Sequence, residues 1–262
     1  MQQRNEFIRL RRQKMPRGDI LAKQAQDNLR ELYETNGIDL SNPQYVKSHC
    51  DEIIEELLKR EFELYEHKEQ EVNVDLLWQI VESSLPSSKY LTRGQLEQLI
   101  KDKFNEFQDF YKSILQSRRS RAGGSLQNHV AYLFRVLSYP FEVQQVINGT
   151  PDFILPNALL YSQNPGECIL VTAKRTLRER WRQIITEGFR SPQYFLITID
   201  EKQTGHNLRE MAGHRIYLVV PERLKLGIQD YRTSGNVISL KSFFEGYLDP
   251  AMVRWLQAGI IP

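Results

Sequence analysis

The sequence is poor in the features that mark several classes of protein. It has only two cysteines, Cys50 and Cys168, and their separation along the chain predicts neither a disulfide framework nor a four-ligand zinc site. No stretch approaches 18 consecutive apolar residues, which argues against a transmembrane helix. The first six residues lack an apolar signal segment. These absences predict a cytoplasmic protein that does not associate with a membrane.

Histidine and glycine patterns typical of metal or nucleotide sites are also missing. The five histidines show no metal-ligand spacing, and His129 is expected to be packed in the core. Gly123 and Gly124 precede a predicted helix, whose N-terminus could hold a phosphate. These glycines do not form a P-loop, so the sequence does not imply the use of ATP.

What is present is the composition of a folded protein with local charge. The 262 residues are 40% hydrophobic and 26% charged, which suits one large domain or two unequal ones. The net charge is only +2, but residues 1–24 hold seven bases against two acids, and residues 174–182 hold five against one. Residues 51–72 hold nine acids against three bases. Local positive charge fits a phosphate-binding groove, and solvated helix faces are the alternative.

The hydrophobic pattern changes near residue 117. Before it, helices are predicted over residues 1–35, 43–69, 73–82 and 91–116. After a basic loop over 117–124, Ser125 is a predicted N-cap for a helix to about residue 138. Strands are predicted over 141–147, 153–155, 168–174, 194–199, 216–220 and 237–240, with helices over 177–187, 207–211 and 242–258. The order predicts an α/β fold with a mixed central sheet over 117–262, preceded by a helical region over 1–116.

Three charged side chains are expected near one rim of this sheet. Asp152 opens one predicted strand, Lys174 closes the next, and Glu187 lies on the helix that follows. Two carboxylates offer hard oxygen ligands to Mg²⁺, which polarises a phosphate and activates water. The lysine can orient that water or stabilise charge on the phosphate. The arrangement suits metal-assisted hydrolysis of phosphodiesters, whereas a turn and two surface charges are the structural alternative.

The segments Pro151-Asp152 and Thr172-Ala173-Lys174 resemble the PD-(D/E)XK nuclease signature. Thr172 stands where that signature usually has an acid, and Glu187 would take its place. With the upstream Ser120-Arg-Ala-Gly-Gly-Ser-Leu126, this variant resembles the EcoRII/PspGI group of type II restriction endonucleases over about residues 117–225. The resemblance implies an αβββαβ restriction-endonuclease-like core. It also implies Asp152 and Glu187 as ligands of Mg²⁺, and Lys174 as the catalytic lysine.

The resemblance further implies how DNA would be recognised. Arg178, Glu179 and Arg180 correspond to the triplet with which this group reads CC and GG dinucleotides. The chemistry is consistent, because arginine pairs with guanine O6 and N7 and glutamate accepts from cytosine N4. An exposed helix start with internal ion pairs is the alternative. Contacts to the DNA backbone are expected from Arg118, Arg119, Arg121 and Arg175.

The sequence departs from the group at two positions. Gln127 occupies the place of a glutamate that often faces the metal, so it is a weaker, neutral candidate for the catalytic site. Gly124 replaces a lysine in the preceding loop. Some members of the group flip bases out of the helix, and Trp78 or Tyr90 could stack on such a base, although both are expected in the core.

These residues together predict a Mg²⁺-dependent type II restriction endonuclease that cuts duplex DNA at a symmetric CC…GG site. A symmetric site favours a homodimer, and the helices before residue 117 are candidates for its interface. A restriction enzyme also implies a DNA methyltransferase as its functional partner. Two alternatives remain: a repair-type nuclease that recognises DNA structure or modification, and a DNA-binding protein of the same fold without catalysis.

Overall fold

The computed structural model describes residues 2–82, 84–85, 90–121, 124–143, 151–177, 181–182 and 194–262. The first part is helical, with α1 (Gln2–Lys14), α2 (Gly18–Thr35), α3 (Pro43–Ser48), α4 (Cys50–Glu82), α5 (Arg93–Arg121) and α6 (Ser125–Val136). Strands and helices alternate after α6. They are β1 (Glu142–Val143), β2 (Phe153–Leu155), α7 (Ala158–Gln163), β3 (Ile169–Ala173), β4 (Tyr194–Ile197), α8 (Gly205–Gly213), β5 (Ile216–Val220), α9 (Glu222–Gly227), α10 (Gln229–Thr233), β6 (Val237–Ser239), α11 (Leu240–Phe243) and α12 (Asp249–Gln257).

The six strands form one mixed sheet in the order in which they occur along the chain. Strand β2 pairs antiparallel with both β1 and β3, whereas β3, β4, β5 and β6 are parallel to one another. Side chains alternate between the two faces of the sheet. Phe153 and Val171 pack on one face with α4, α6 and α12, and Ile154 and Leu170 pack on the other with α8. The predicted α/β class and mixed sheet are confirmed.

A third apolar cluster lies away from the sheet, where α1, α4 and α5 meet. Val72, Leu76 and Ile80 of α4 contact Phe110 and Ile114 of α5 there. This packing extends the apolar stripe of α4 through residues 70–72, so that α4 continues unbroken to Glu82. The two predicted helices over 43–69 and 73–82 are therefore wrong in their boundaries. The chain breaks instead at His49, between the short α3 and α4.

Two helix starts also differ from the predictions. The basic segment over 1–35 forms two helices rather than one, because Pro16 disfavours helical backbone at the residue before it. Helix α6 begins at Ser125 itself, with Gly124 at the N-cap position. The hydroxyl of Ser125 donates to the Glu61 carboxylate instead of accepting from the helix backbone. Within the described part of the chain, no helix is both long and apolar enough to span a membrane.

Candidate active site

Asp152 and Lys174 meet at one edge of the sheet. Phe153 pairs with Val171 in the antiparallel register of β2 and β3, so Asp152 lies beside the end of β3. The ammonium Nζ of Lys174 donates to both carboxylate oxygens of Asp152, at 3.0 Å each. The structure thus brings together two of the three residues predicted at this rim.

The pair is buried on one side and accessible on the other. Asp152 is only 6% exposed, whereas the side chain of Lys174 is 28% exposed. The amide of Ala173 also donates to Oδ2 of Asp152, at 2.9 Å. The ammonium and this backbone amide together fix the orientation of the carboxylate. A ligand at the rim would meet a fixed carboxylate and a partly solvated ammonium.

Thr172 occupies the position where the nuclease signature usually has its second acid, and hydrogen bonds hold its side chain. Its buried hydroxyl lies 2.6 Å from the hydroxyl of Tyr194 on β4. The amide of Asp152 donates to the same oxygen over 3.4 Å. Thr172 therefore connects β2, β3 and β4 next to Asp152. Sequence reasoning missed Tyr194, whose role depends on the parallel register of β3 and β4.

Several predicted site residues lie outside the described part of the chain. They are the second carboxylate, Glu187, and the three residues of the base-reading triplet, Arg178, Glu179 and Arg180. Gln127 is described and lies half-buried in the first turn of α6, which packs on the sheet. Among the described residues, no hydrogen bond joins Gln127 to Asp152 or Lys174.

Of the four arginines predicted to contact the DNA backbone, two have described side chains. Arg118 forms an ion pair with Glu69, with Nε 2.8 Å from Oε2. Hydrogen bonding to this buried carboxylate raises the pKa of the Arg118 guanidinium. Arg175 follows Lys174 directly and lines a cavity of about 80 Å³ together with Arg118 and Glu61. The side chains of Arg119 and Arg121 lie outside the described set.

A second buried carboxylate, Glu61 of α4, lies at this cavity. Its Oε2 accepts from the Ser125 hydroxyl at 2.6 Å and lies 2.7 Å from Nε2 of His129. The amide Nε2 of Gln26 lies 3.3 Å from Nδ1 of the same histidine. His129 is fully buried, as predicted, but it has polar partners from α2 and α4. Sequence reasoning missed Glu61, because nothing local distinguishes it from the other acids of α4.

The described residues offer Asp152 as one hard oxygen ligand for Mg²⁺. No group of three histidine, cysteine, aspartate or glutamate side chains gathers within the described ranges. Asp152 fits a metal ligand because its carboxylate is held by an amide and an ammonium at an accessible rim. The sequence predicts Glu187, which lies outside the described residues, as the second carboxylate.

The two candidate stacking aromatics are not in the core. Trp78 is 53% exposed on α4, and Tyr90 is 79% exposed before α5. The expectation that both are core residues is therefore wrong. The apolar stripe of α4 that packs inward runs through Val72, Leu76 and Ile80, which leaves Trp78 on the outer face.

Comparisons with known proteins show which proteins this chain is similar to. The EcoRII C-terminal family matches residues 87–244. The chain is 35% identical over 126 residues to the type II restriction enzyme EcoRII of Escherichia coli, covering 46% of this chain and 31% of that protein. It is 27% identical over 156 residues to the type II restriction enzyme SsoII of Shigella sonnei, covering 55% and 49%. The matches thus cover 31% of the length of the first of these curated relatives and 49% of the second.

Two solved structures share the fold. Metal-depleted Ecl18kI in complex with uncleaved, modified DNA superposes with a TM-score of 0.80 at 20% identity, over 97% of this chain and 84% of that one. The complex of the restriction endonuclease PspGI with substrate DNA gives a TM-score of 0.62 at 20% identity, over 92% and 95%. Both likenesses include the helical first part as well as the sheet.

Proposed function

The chain belongs to the EcoRII C-terminal family, and we propose that it is a type II restriction endonuclease. It would hydrolyse phosphodiester bonds of double-stranded DNA at a specific sequence, in the cytoplasm. The observation that carries this proposal is the contact between Lys174 and Asp152 at an accessible edge of a mixed sheet. The names of the relatives that match by sequence support the same activity.

The residues predicted at the site would divide the chemistry between them. Asp152 would hold Mg²⁺, with Glu187 as the second carboxylate. Bound Mg²⁺ polarises the phosphate and lowers the pKa of the attacking water. Lys174 would donate to a phosphate oxygen or to the attacking water, since its ammonium is partly exposed beside the carboxylate. Gln127 would be a neutral neighbour of this site.

The proposed substrate is duplex DNA with a symmetric CC…GG site. Arg178, Glu179 and Arg180 would read its G·C pairs, while Arg119, Arg121 and Arg175 would contact the backbone. Arg118, whose charge is compensated by Glu69, would contribute less to this contact. We expect Arg178→Ala to cost about 1–3 kcal/mol of binding at the cognate site and to relax discrimination. Gel-shift titrations with single-base variants of the site would measure both. An unchanged preference would show that Arg178 does not read a base.

A symmetric site is read most simply by two copies, so the protein is proposed to act as a homodimer. The region over 1–116 would contribute DNA contacts and the dimer interface, and residues 117–262 would form the catalytic core. DNA complexes of the structural neighbours Ecl18kI and PspGI are consistent with duplex binding by this fold. A DNA methyltransferase would protect the host sites as a functional partner.

The experiment that tests the proposal is digestion of unmethylated phage DNA with and without Mg²⁺, followed by sequencing of the ends. We expect discrete fragments that share a CC…GG site, formed with Mg²⁺ and absent with EDTA or with Lys174→Ala. A smear, or cutting only of branched or modified DNA, would favour a repair-type nuclease instead. A specific gel shift without cutting would favour a DNA-binding protein that lacks catalysis.

A further inference from the structure

Helix α5 carries apolar side chains on two faces, and only one of them is covered in the described structure. Its inner face contributes Phe110 and Ile114 to the cluster with α1 and α4. Its outer face carries five large apolar side chains that are 46–59% exposed. We call them the outer stripe of α5: Leu96, Ile100, Phe104, Tyr111 and Leu115.

The outer stripe is a continuous surface. Its members are spaced by four or seven residues, which places them within an arc of about 100° along one side of the helix. From Leu96 to Leu115 the stripe extends about 28 Å at 1.5 Å per residue. Its exposed apolar area is roughly 500 Å², near the upper limit for the largest patch on a monomer. A surface of this kind is typical of an interface.

The spacing of the stripe is symmetric about the middle of the helix. Leu96 and Leu115 are equally far from a point between residues 105 and 106, and so are Ile100 and Tyr111. Phe107, the counterpart of Phe104 in this spacing, is half-buried because it also packs against the cluster on the inner face. A second copy of α5, running antiparallel about a two-fold axis through this point, would place apolar against apolar along the whole stripe. This is the self-complementarity that a two-fold interface requires.

The charged side chains beside the stripe are satisfied within each helix, so they do not oppose this pairing. Glu97 and Lys101 form an ion pair with each other, with Nζ of the lysine 2.7 Å from the carboxylate. Lys112 on the same side donates to Gln108 of its own helix. A standard interface buries about 800 Å² per partner, so the stripe and its charged flanks together approach what a stable dimer needs.

We propose that the outer stripe of α5 is the surface on which two copies of this chain pair, antiparallel about a two-fold axis. The inference deepens the homodimer of the proposed function and rests on it. Helix α5 ends at Arg121, shortly before α6, which packs on the sheet beside β3. Pairing two α5 helices would therefore set the spacing between the two Asp152–Lys174 sites.

Sedimentation velocity of the full chain measures the pairing directly. We expect a dimer at micromolar concentration, and a dissociation constant raised at least 100-fold in Phe104→Glu, at the centre of the stripe. The exposed Phe104 side chain can change without loss of the fold, which circular dichroism would verify. Leu226→Glu, at a similarly exposed apolar residue on α9, is the matched control and should stay dimeric.

Cross-linking tests the orientation. The double variant Ile100→Cys with Tyr111→Cys should form an intermolecular disulfide under mild oxidation, while either single variant should not. A wild-type chain that is monomeric with and without DNA, or a dimeric Phe104→Glu, would overturn the proposal, as would cross-linking by the single variants. Cleavage is assayed separately, so a dimer that never cuts DNA would contradict the nuclease assignment and leave the interface standing.

Discussion

Two buried aspartates lie at the same edge of the sheet, and they differ in what holds them. Asp152 is 6% exposed and meets the ammonium of Lys174. Asp51 on α4 is 5% exposed and accepts from the backbone amides of Glu222 and Leu240, which follow β5 and β6. The two aspartates are thus alike in burial and in their position at the sheet. They differ in their partners, because only Asp152 contacts a charged group that solvent can reach. This difference makes Asp152, and not Asp51, the candidate for catalysis.

The environment of Asp51 has a measurable electrostatic consequence. Desolvation raises its pKa to about 6, although the backbone hydrogen bonds from Leu240, Lys241 and Glu222 act in the opposite direction. This aspartate connects α4 to the ends of two strands and to the start of α11. Its role is to fix the helices against the sheet.

The largest expected effect is on cleavage. Lys174→Ala removes the ammonium beside Asp152, and we expect the cleavage rate to fall by about 10²–10³-fold, since the loss of one positioned donor at a reacting centre has this order of effect. Specific binding should persist, as gel shifts would measure. Asp51→Asn is the control because it changes a buried aspartate of the same edge without touching Lys174. Wild-type turnover by Lys174→Ala would contradict the catalytic assignment.

The burial of Asp51 also predicts that the stability of the protein depends on pH. The folded-state pKa of Asp51 lies above the ordinary value of 3.8, so the folded protein holds the proton more tightly than the unfolded chain. The stability that this proton contributes is present below about pH 4 and is lost as pH rises through 6. The shift corresponds to roughly 3 kcal/mol. Urea denaturation from pH 4 to 7 should show this loss in wild type relative to Asp51→Asn.

Parallel pH profiles for wild type and Asp51→Asn would contradict this reading of Asp51. The control is Asp39→Asn, at an exposed aspartate that accepts from Ser41. The difference in stability between Asp39→Asn and wild type should stay constant between pH 4 and 6. The reason is that hydrogen bonds from Ser41 lower the pKa of Asp39 below its usual value.

Glu61 is a third buried carboxylate, and side chains of another helix surround it. Glu61→Ala would leave the Ser125 hydroxyl without its acceptor and remove the carboxylate beside the His129 ring, at a cost of about 1–3 kcal/mol of unfolding free energy. Glu61→Gln keeps an acceptor oxygen and should recover part of this loss. Thermal unfolding would measure both variants. Equal stability of Glu61→Ala and wild type would show that the network contributes nothing.

The sequence predicts the sheet and the Asp152–Lys174 pair because both depend on short-range patterns. Alternation in the strands gives their positions, and a lysine at the end of β3 must lie at the rim. The backbone amides that donate to Asp51 are at least 171 residues away along the chain, and Ser125 is 64 residues from Glu61, so tertiary packing decides both sets of contacts. Helices α4 and α5 have apolar residues on two faces, and periodicity does not tell which face packs inward. For this reason the sequence wrongly predicts a core position for Trp78.

The smallest expected effect is on the salt dependence of DNA binding, and it should differ between two arginines near the site. The charge of Arg118 is already compensated by Glu69, whose side chain is only 2% exposed. Arg118→Ala should therefore lower stability more than DNA affinity, because it leaves a buried carboxylate without its ion pair. Arg175→Ala, directly after Lys174, should instead reduce the slope of log affinity against log salt by about 1, as expected for one lost phosphate contact. Salt titrations of binding to cognate and unrelated duplexes would measure both slopes. A loss of slope in Arg118→Ala but not in Arg175→Ala would reverse the assignment, and would mean that the ion pair with Glu69 opens when DNA binds.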